Sequence, residues 1–213
     1  MSVAANHPLT AHEPTNLSRL MNPALHLAPL LLYLTLAAPA PASAQAPDSA
    51  ALLAAQREAM AALAPMDGLW RGSARVTLPG GRQHELIQAE RVGAMLGGTV
   101  KVIEGRGYGP EDRLEFNALA VVSFAPATGR YRMHSYAQGM EGDFEFEPRA
   151  DGFAWTMRFG PVAVRHVAVI EGDRWTETGE RLVPGQPPVR TFEMTLRRIG
   201  ATDWPAAGAV PAR

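Results

Sequence analysis

Cysteine is absent from this chain of 213 residues. Its absence excludes disulfides, thiolate metal sites, a cysteine nucleophile and lipid attachment through an N-terminal cysteine. Lysine is almost absent as well: Lys101 stands alone among 20 Lys and Arg residues. With abundant Ala, Gly and Pro, this reads as the codon bias of a GC-rich genome, and most single arginines read as solvated surface. Neither sign of charge is in excess. A net charge of -1 argues against a nucleic-acid surface, which needs a clustered basic surplus. The chain also lacks a G-x-S-x-G elbow, an H-E-x-x-H pair and a P-loop.

No apolar run is long enough for a comfortable membrane span, which takes roughly 20 residues. The best one, Leu27 to Ala38, is shorter and is followed by Ala42-Ser43-Ala44-Gln45-Ala46. An apolar run followed by an A-x-A site is the pattern of a secretory signal. Pro47 disfavours cleavage after Ala46, so cleavage after Ala44 is expected. Arg19 is the only basic residue ahead of the run, and Met21 would begin a signal of more usual length. Residues 1–44 are therefore read as signal and upstream segment. The mature chain is expected in the periplasm or outside the cell, with no stable membrane span.

What is present is an ordinary globular composition, 46% apolar and 19% charged. Segment 45–65 is predicted to hold a helix, Asp48 to Leu63. Asp48 or Ser49 can cap it, Leu52, Leu53, Met60 and Leu63 recur at helical spacing, and Pro65 ends it. From Met66 the period changes to two. Trp70, Gly72, Ala74, Val76 and Leu78 share one face, and Arg71, Ser73, Arg75 and Thr77 share the other. Further strands are predicted at roughly 83–92, 98–106, 113–124, 130–138, 142–148, 152–159, 162–170, 173–183 and 188–199. Turn signals such as Pro79-Gly80-Gly81, Asp151-Gly152 and Gly160-Pro161 separate them. Short links leave no room for crossover helices, so the strands run antiparallel. Closing the meander removes its unpaired edges. The predicted fold is all-β: about ten strands in an antiparallel up-and-down barrel over 66–200, preceded by one α-helix. Residues 201–213 read as a loose tail that Trp204 can dock.

Gly68-Leu69-Trp70 is a G-x-W motif at the start of the first strand, and Arg197-Arg198 lies near the end of the last. This pairing resembles the calycin group, which includes lipocalins and fatty-acid-binding proteins. The resemblance implies that an Arg of the last strand covers the Trp of the first at the closed end. Arg198 alternates with Phe192, Met194 and Leu196 and is the better match. An Arg over an indole contributes roughly 0.5–2 kcal/mol, so the implied role of Trp70 and Arg198 is structural. The stretches GLWRGSARVTLPGG, QAERVGAMLGGTVKVIEGRGY, FNALAVVSFAPATGRYRMHSYAQG and FEMTLRRIG also resemble a family of small secreted bacterial proteins with a lipocalin-like domain of unknown function.

Several strand residues are candidates for contact with a ligand in the lumen. Phe116 lies on the apolar face of the fourth strand, and Trp155 and Met157 on that of the seventh. They line either a plain core or an apolar pocket. His166 shares a face with Val162, Val164, Ala168 and Ile170, as a hydrogen-bonded core residue or as a ligand contact. His134 and Tyr136 share a face of the fifth strand with Arg132 and Gln138, and alternation leaves open which face points inward. Gly72, Ala74, Ala118 and Ala120 on inward faces leave room for a lumen. Glu115, Glu177 and Glu193 can pair as acid and base but are expected outside, beside arginines. Some barrel proteins hold haem through an inward His; no spacing here marks that, and no cofactor or metal site is expected. The reading is a barrel that encloses a small, mainly apolar molecule without defined catalysis. Its alternatives are an enzyme using lumen His, Tyr or Glu groups, and a filled barrel acting through its surface.

Overall fold

A computed structural model describes residues 48–204. The expected signal, 1–44, and the end of the tail lie outside the described residues. The predicted helix forms as α1 (Ser49–Ala61), and the Asp48 side chain caps it by accepting from the Ala50 amide at 2.9 Å. Leu52, Ala55, Gln56, Ala59, Met60 and, just beyond the helix, Leu63 turn toward the protein at three- and four-residue spacing. Pro65 lies in a 3-10 turn, Ala64–Met66, that ends the helical segment.

Ten strands follow: β1 (Gly68–Thr77), β2 (Gln83–Met95), β3 (Val100–Tyr108), β4 (Leu114–Ala125), β5 (Arg130–Ala137), β6 (Met140–Arg149), β7 (Gly152–Phe159), β8 (Val162–Glu171), β9 (Arg174–Leu182) and β10 (Val189–Gly200). Each pairs antiparallel with its neighbours in sequence, and β1 pairs with β10, so the barrel is closed. The predicted up-and-down barrel is the observed one. Where β1 meets β10, Gly72 lies against the Thr195 carbonyl so closely that a Cβ would stand 2.0 Å from it. Glycine at this position lets the seam shut.

One end of the barrel is packed solid. Trp70, Val92, Val122, Met133, Phe146, Phe153, Trp175 and Leu196 are buried there with Met60, Leu63 and Met66 of the helical segment. Trp70 meets Trp175 edge-on at 5.6 Å, Trp175 meets Phe153 at 5.5 Å, and Phe153 stacks on Phe146 at 5.2 Å. Contacts of this kind contribute about 0.5–1.5 kcal/mol beyond the area they bury. Polar ties hold α1 over this end: Tyr131 Oη donates to the Ala59 carbonyl at 2.8 Å, and Arg57 Nε to the Gly97 carbonyl at 3.0 Å.

The outer face carries cross-strand ion pairs such as Arg75–Glu85, Arg158–Glu145 and Arg165–Glu147. Exposed pairs of this kind stabilise by only about 0–1 kcal/mol each. The first residues after Gly200 are seated rather than loose. Asp203 pairs with Arg91, whose guanidinium lies 4.7 Å over the Trp204 ring. Gly93 makes room for Thr202 and Trp204.

Candidate functional site

Strand alternation places two kinds of inward residue at two levels. At the packed end, Arg198 lies 4.0 Å over the Trp70 ring and donates to the carbonyls of Asp67 and, at 3.0 Å, Pro65. Trp70 Nε1 donates to the Met66 carbonyl at 2.9 Å. Lys101, only 2% exposed, donates its ammonium to Asp67. Arg198 and Lys101 are thus both committed to closing this end.

The half toward the other end is different. Phe116, Ala118, Ser135, Phe144, Trp155, Met157 and Phe192 face inward yet keep part of their surface accessible. Beside Phe116 and Phe144, strands β3 to β6 contribute small inward residues: Gly105, Gly107, Ala118, Ser135, Ala137 and Gly142. The large inward residues of this half are spread over β4 (Phe116), β6 (Phe144), β7 (Trp155, Met157), β8 (His166) and β10 (Phe192).

A polar cluster sits at mid-depth. His166 Nδ1 lies 3.0 Å from Glu177 Oε1, which also accepts from Trp155 Nε1 at 3.1 Å. The indole of Trp155 stacks on the His166 ring at 4.1 Å and 17°. Gly179 faces His166, and a Cβ there would stand 2.8 Å from the imidazole. On β2, Gln88 Nε2 donates to Glu90 Oε1 at 2.7 Å. These two side chains lean over glycines: a Cβ at Gly105 would meet the Glu90 carboxyl at 3.0 Å, and one at Gly107 would meet Gln88 Oε1 at 3.2 Å.

Glu90 reaches accessible space from the lumen, but protein surrounds it. Burial pushes its pKa up to about 8. The Gln88 hydrogen bond opposes that rise, and the neighbouring carboxylates Glu177 and Glu104 add to it. The cluster therefore holds a carboxyl that keeps its proton at neutral pH beside a histidine–glutamate pair. Among the described residues, no group of three or more His, Asp or Glu converges as a metal site.

No protein-family model matches the chain, and no curated protein matches it. Among solved structures it is similar to Rv2717c from M. tuberculosis, with 14% identity and a TM-score of 0.51, over 66% of this chain and 96% of that one. It also aligns with the S-type phycobiliprotein lyase CPES from Guillardia theta, with 10% identity and a TM-score of 0.47, over 68% of this chain and 93% of that one. The fold is calycin-like. At these identities the likeness concerns the fold alone, and the resemblance to a secreted bacterial family adds nothing to it.

Within the calycin-like barrel, Phe116, Trp155, Met157 and His166 face the lumen. Trp155 and His166 belong to the polar cluster; Met157 and Phe116 lie nearer the mouth. His134 and Tyr136 do not join them. Met133, 5% exposed, takes the inward face of β5, so His134 and Tyr136 point out. His134 there lies 3.0 Å from Asp143. Tyr136, 51% exposed, borders an open concavity of about 750 Å3 on the outer face of β3 to β6. Register decided this: Met133 pairs with Val122, which is fully buried. Glu177 is the opposite correction, inside at 6% exposure rather than outside beside an arginine.

Sequence reasoning missed Gln88 and Glu90 as site residues. On β2 both faces carry apolar residues, Leu86 and Val92 against Ile87 and Ala89, so alternation gives no direction. On β9 a signal exists: Trp175, Glu177 and Gly179 alternate, and a tryptophan marks the inward phase.

Proposed function

We propose that this protein is an exported barrel that binds a small, mainly apolar molecule in the half of its lumen away from the packed end. The observation that carries this reading is the lumen's asymmetry. Toward one end the interior is packed solid; toward the other, Phe116, Phe144, Trp155, Met157 and Phe192 face inward beside Gly, Ala and Ser residues of β3 to β6 and are only half-buried. A bound molecule would enter at the mouth near Met157 and Phe116 and lie against Trp155. Its polar end would meet the Gln88, Glu90, His166 and Glu177 cluster. Barrel mouths are a frequent location for such sites.

Replacing Trp155 with Ser tests this with the neutral fluorescent probe N-phenyl-1-naphthylamine. Loss of about 50 Å2 of buried apolar contact, at roughly 25 cal/mol per Å2, corresponds to about tenfold weaker uptake. Unchanged uptake would count against the reading. Native mass spectrometry of protein purified from its own host would identify a retained molecule. Export rests on the apolar run ending at Ala38 and the Ala42-Ser43-Ala44 site. N-terminal sequencing should find Gln45 first; an intact leader on cytosolic protein would overturn export.

A second reading has one observation in its favour. A proton-bearing Glu90 beside a histidine–glutamate pair also suits acid–base catalysis. Recovery of the bound molecule chemically unchanged after prolonged incubation supports binding, and its conversion supports catalysis.

A further inference from the structure

The rim of the barrel's mouth is unlike the wall below it. Leu114 is the first residue of β4, Met140 of β6 and Val189 of β10, and Phe159 is the last of β7. All four strand ends lie at the mouth, opposite the end that Trp70 and Arg198 close. Their exposures are 47%, 72%, 43% and 63% in that order. Large apolar side chains set around one rim, above a wall of ion pairs, mark a contact surface rather than scattered exposure.

The charges of this rim are divided between two arcs. The turns after β1, β7 and β9 are neighbours around the closed barrel. With the adjoining strand ends they carry Arg82, Arg158, Arg181 and Arg190, all exposed. Segments 77–84, 158–162 and 181–190 contain no Asp or Glu. Arg158 and Arg190 reach carboxylates further down the wall, Glu145, Glu180 and Glu193. Arg82 and Arg181 have no carboxylate partner among the described residues. The opposite arc, after β3 and β5, holds Glu111, Asp112 and Glu141 against Arg113 alone. Phe159 and Val189 therefore stand in a basic arc, and Leu114 and Met140 in an acidic one.

Exposed apolar side chains flanked by guanidinium groups match the surface of an anionic bilayer. The apolar groups enter the boundary of the acyl region, and the guanidinium groups meet phosphates. A soluble anion would engage the arginines and leave Phe159 and Val189 in water. The segment between Leu182 and Val189, Val183-Pro184-Gly185-Gln186-Pro187-Pro188, has a single polar side chain and suits the same boundary.

We propose that the basic arc of the mouth docks on the surface of a phospholipid bilayer with anionic head groups. Phe159 and Val189 enter the interface, and Arg82 and Arg181 meet phosphates. The barrel lies on the bilayer, tilted toward β7–β10, and does not span it. This surface is distinct from the lumen, and its test does not depend on what the lumen binds.

Cosedimentation of mature protein, residues 45–213, with phosphatidylcholine vesicles tests this, with and without about 30% phosphatidylglycerol. The expected result is partitioning at least about tenfold stronger on the anionic vesicles, weakened several-fold as ionic strength rises from about 0.02 to 0.5 M. Phe159→Asp, and Arg82→Glu combined with Arg181→Glu, should each lower partitioning about tenfold or more. Met140→Asp, on the acidic arc, should change it less than about threefold. Absence of binding, or equal binding to both vesicle compositions, overturns the proposal with the wild-type protein alone. Binding that survives Phe159→Asp, or that falls equally with Met140→Asp, overturns this arc as the docking face. A stable dimer in solution that Phe159→Asp dissociates overturns the bilayer as its occupant.

Discussion

Arg198 shows how much one side chain can tie together. Its guanidinium covers Trp70, reaches two carbonyls of the segment entering β1, and pairs with Asp173 in the turn before β9. Arg198→Ala loses charge-assisted bonds and a cation–π contact and should lower stability by about 2–3 kcal/mol in urea unfolding. Arg198→Lys should recover only part, because an ammonium cannot fork between the same acceptors. An unchanged midpoint for the alanine variant would remove this role. The pairing was legible through the resemblance of the G-x-W motif and terminal arginines to the calycin group, and the phase of Phe192, Met194 and Leu196 favoured Arg198 over Arg197.

Glu90 acts in the opposite sense. Its carboxyl titrates near its ordinary value of 4.5 in the unfolded chain and at about 8 in the barrel. Between those values the native state holds the extra proton, so stability falls as pH rises and levels off above pH ~8. The loss is on the order of a few kcal/mol. Glu90→Gln should flatten that slope and be more stable than wild type at pH 9, measured by urea unfolding at pH 5, 7 and 9. Parallel slopes in both proteins would mean that Glu90 does not titrate high. Glu90 was not legible beforehand because β2 offers apolar residues to both faces.

At the scale of elements, the strands follow from alternation broken by turn residues, and the predicted boundaries lie within a few residues of those observed. What alternation leaves open is direction. On β5, Tyr131 and Met133 oppose Arg132 and His134, and only pairing with Val122 on β4 and Phe144 and Phe146 on β6 turns the histidine outward. The β1–β10 seam depends on a missing side chain. Gly72→Ala would drive a methyl into the Thr195 carbonyl and should cost about 3 kcal/mol or more, since backbone on both sides must move. Thermal unfolding checks this, with Gly80→Ala as a control because nothing lies near a Cβ there, although its φ of +85° brings a smaller penalty. Equal losses for the two would remove the seam argument.

For the whole molecule, closure joins the first strand to the last. Trp70 pairs with Arg198, so the seam forms only when nearly the entire domain has come together. Sheets built on such distant contacts fold in milliseconds to seconds rather than microseconds. Stopped-flow tryptophan fluorescence should place folding in that range, with Gly72→Ala slowing it if the seam is formed in the transition state. Sub-millisecond folding would argue against a closure-limited barrel.

The period of two and the turn chemistry were enough to point to about ten antiparallel strands and a closed barrel preceded by one helix, because those features act between near neighbours and an open meander would leave unpaired edges. Which carboxylates lie inside, which histidine meets a glutamate, and which inward residues form the packed end were decided only by tertiary structure. Each of these depends on strand register around the full circle, and a shift of one residue exchanges inside for outside without altering the pattern along the chain.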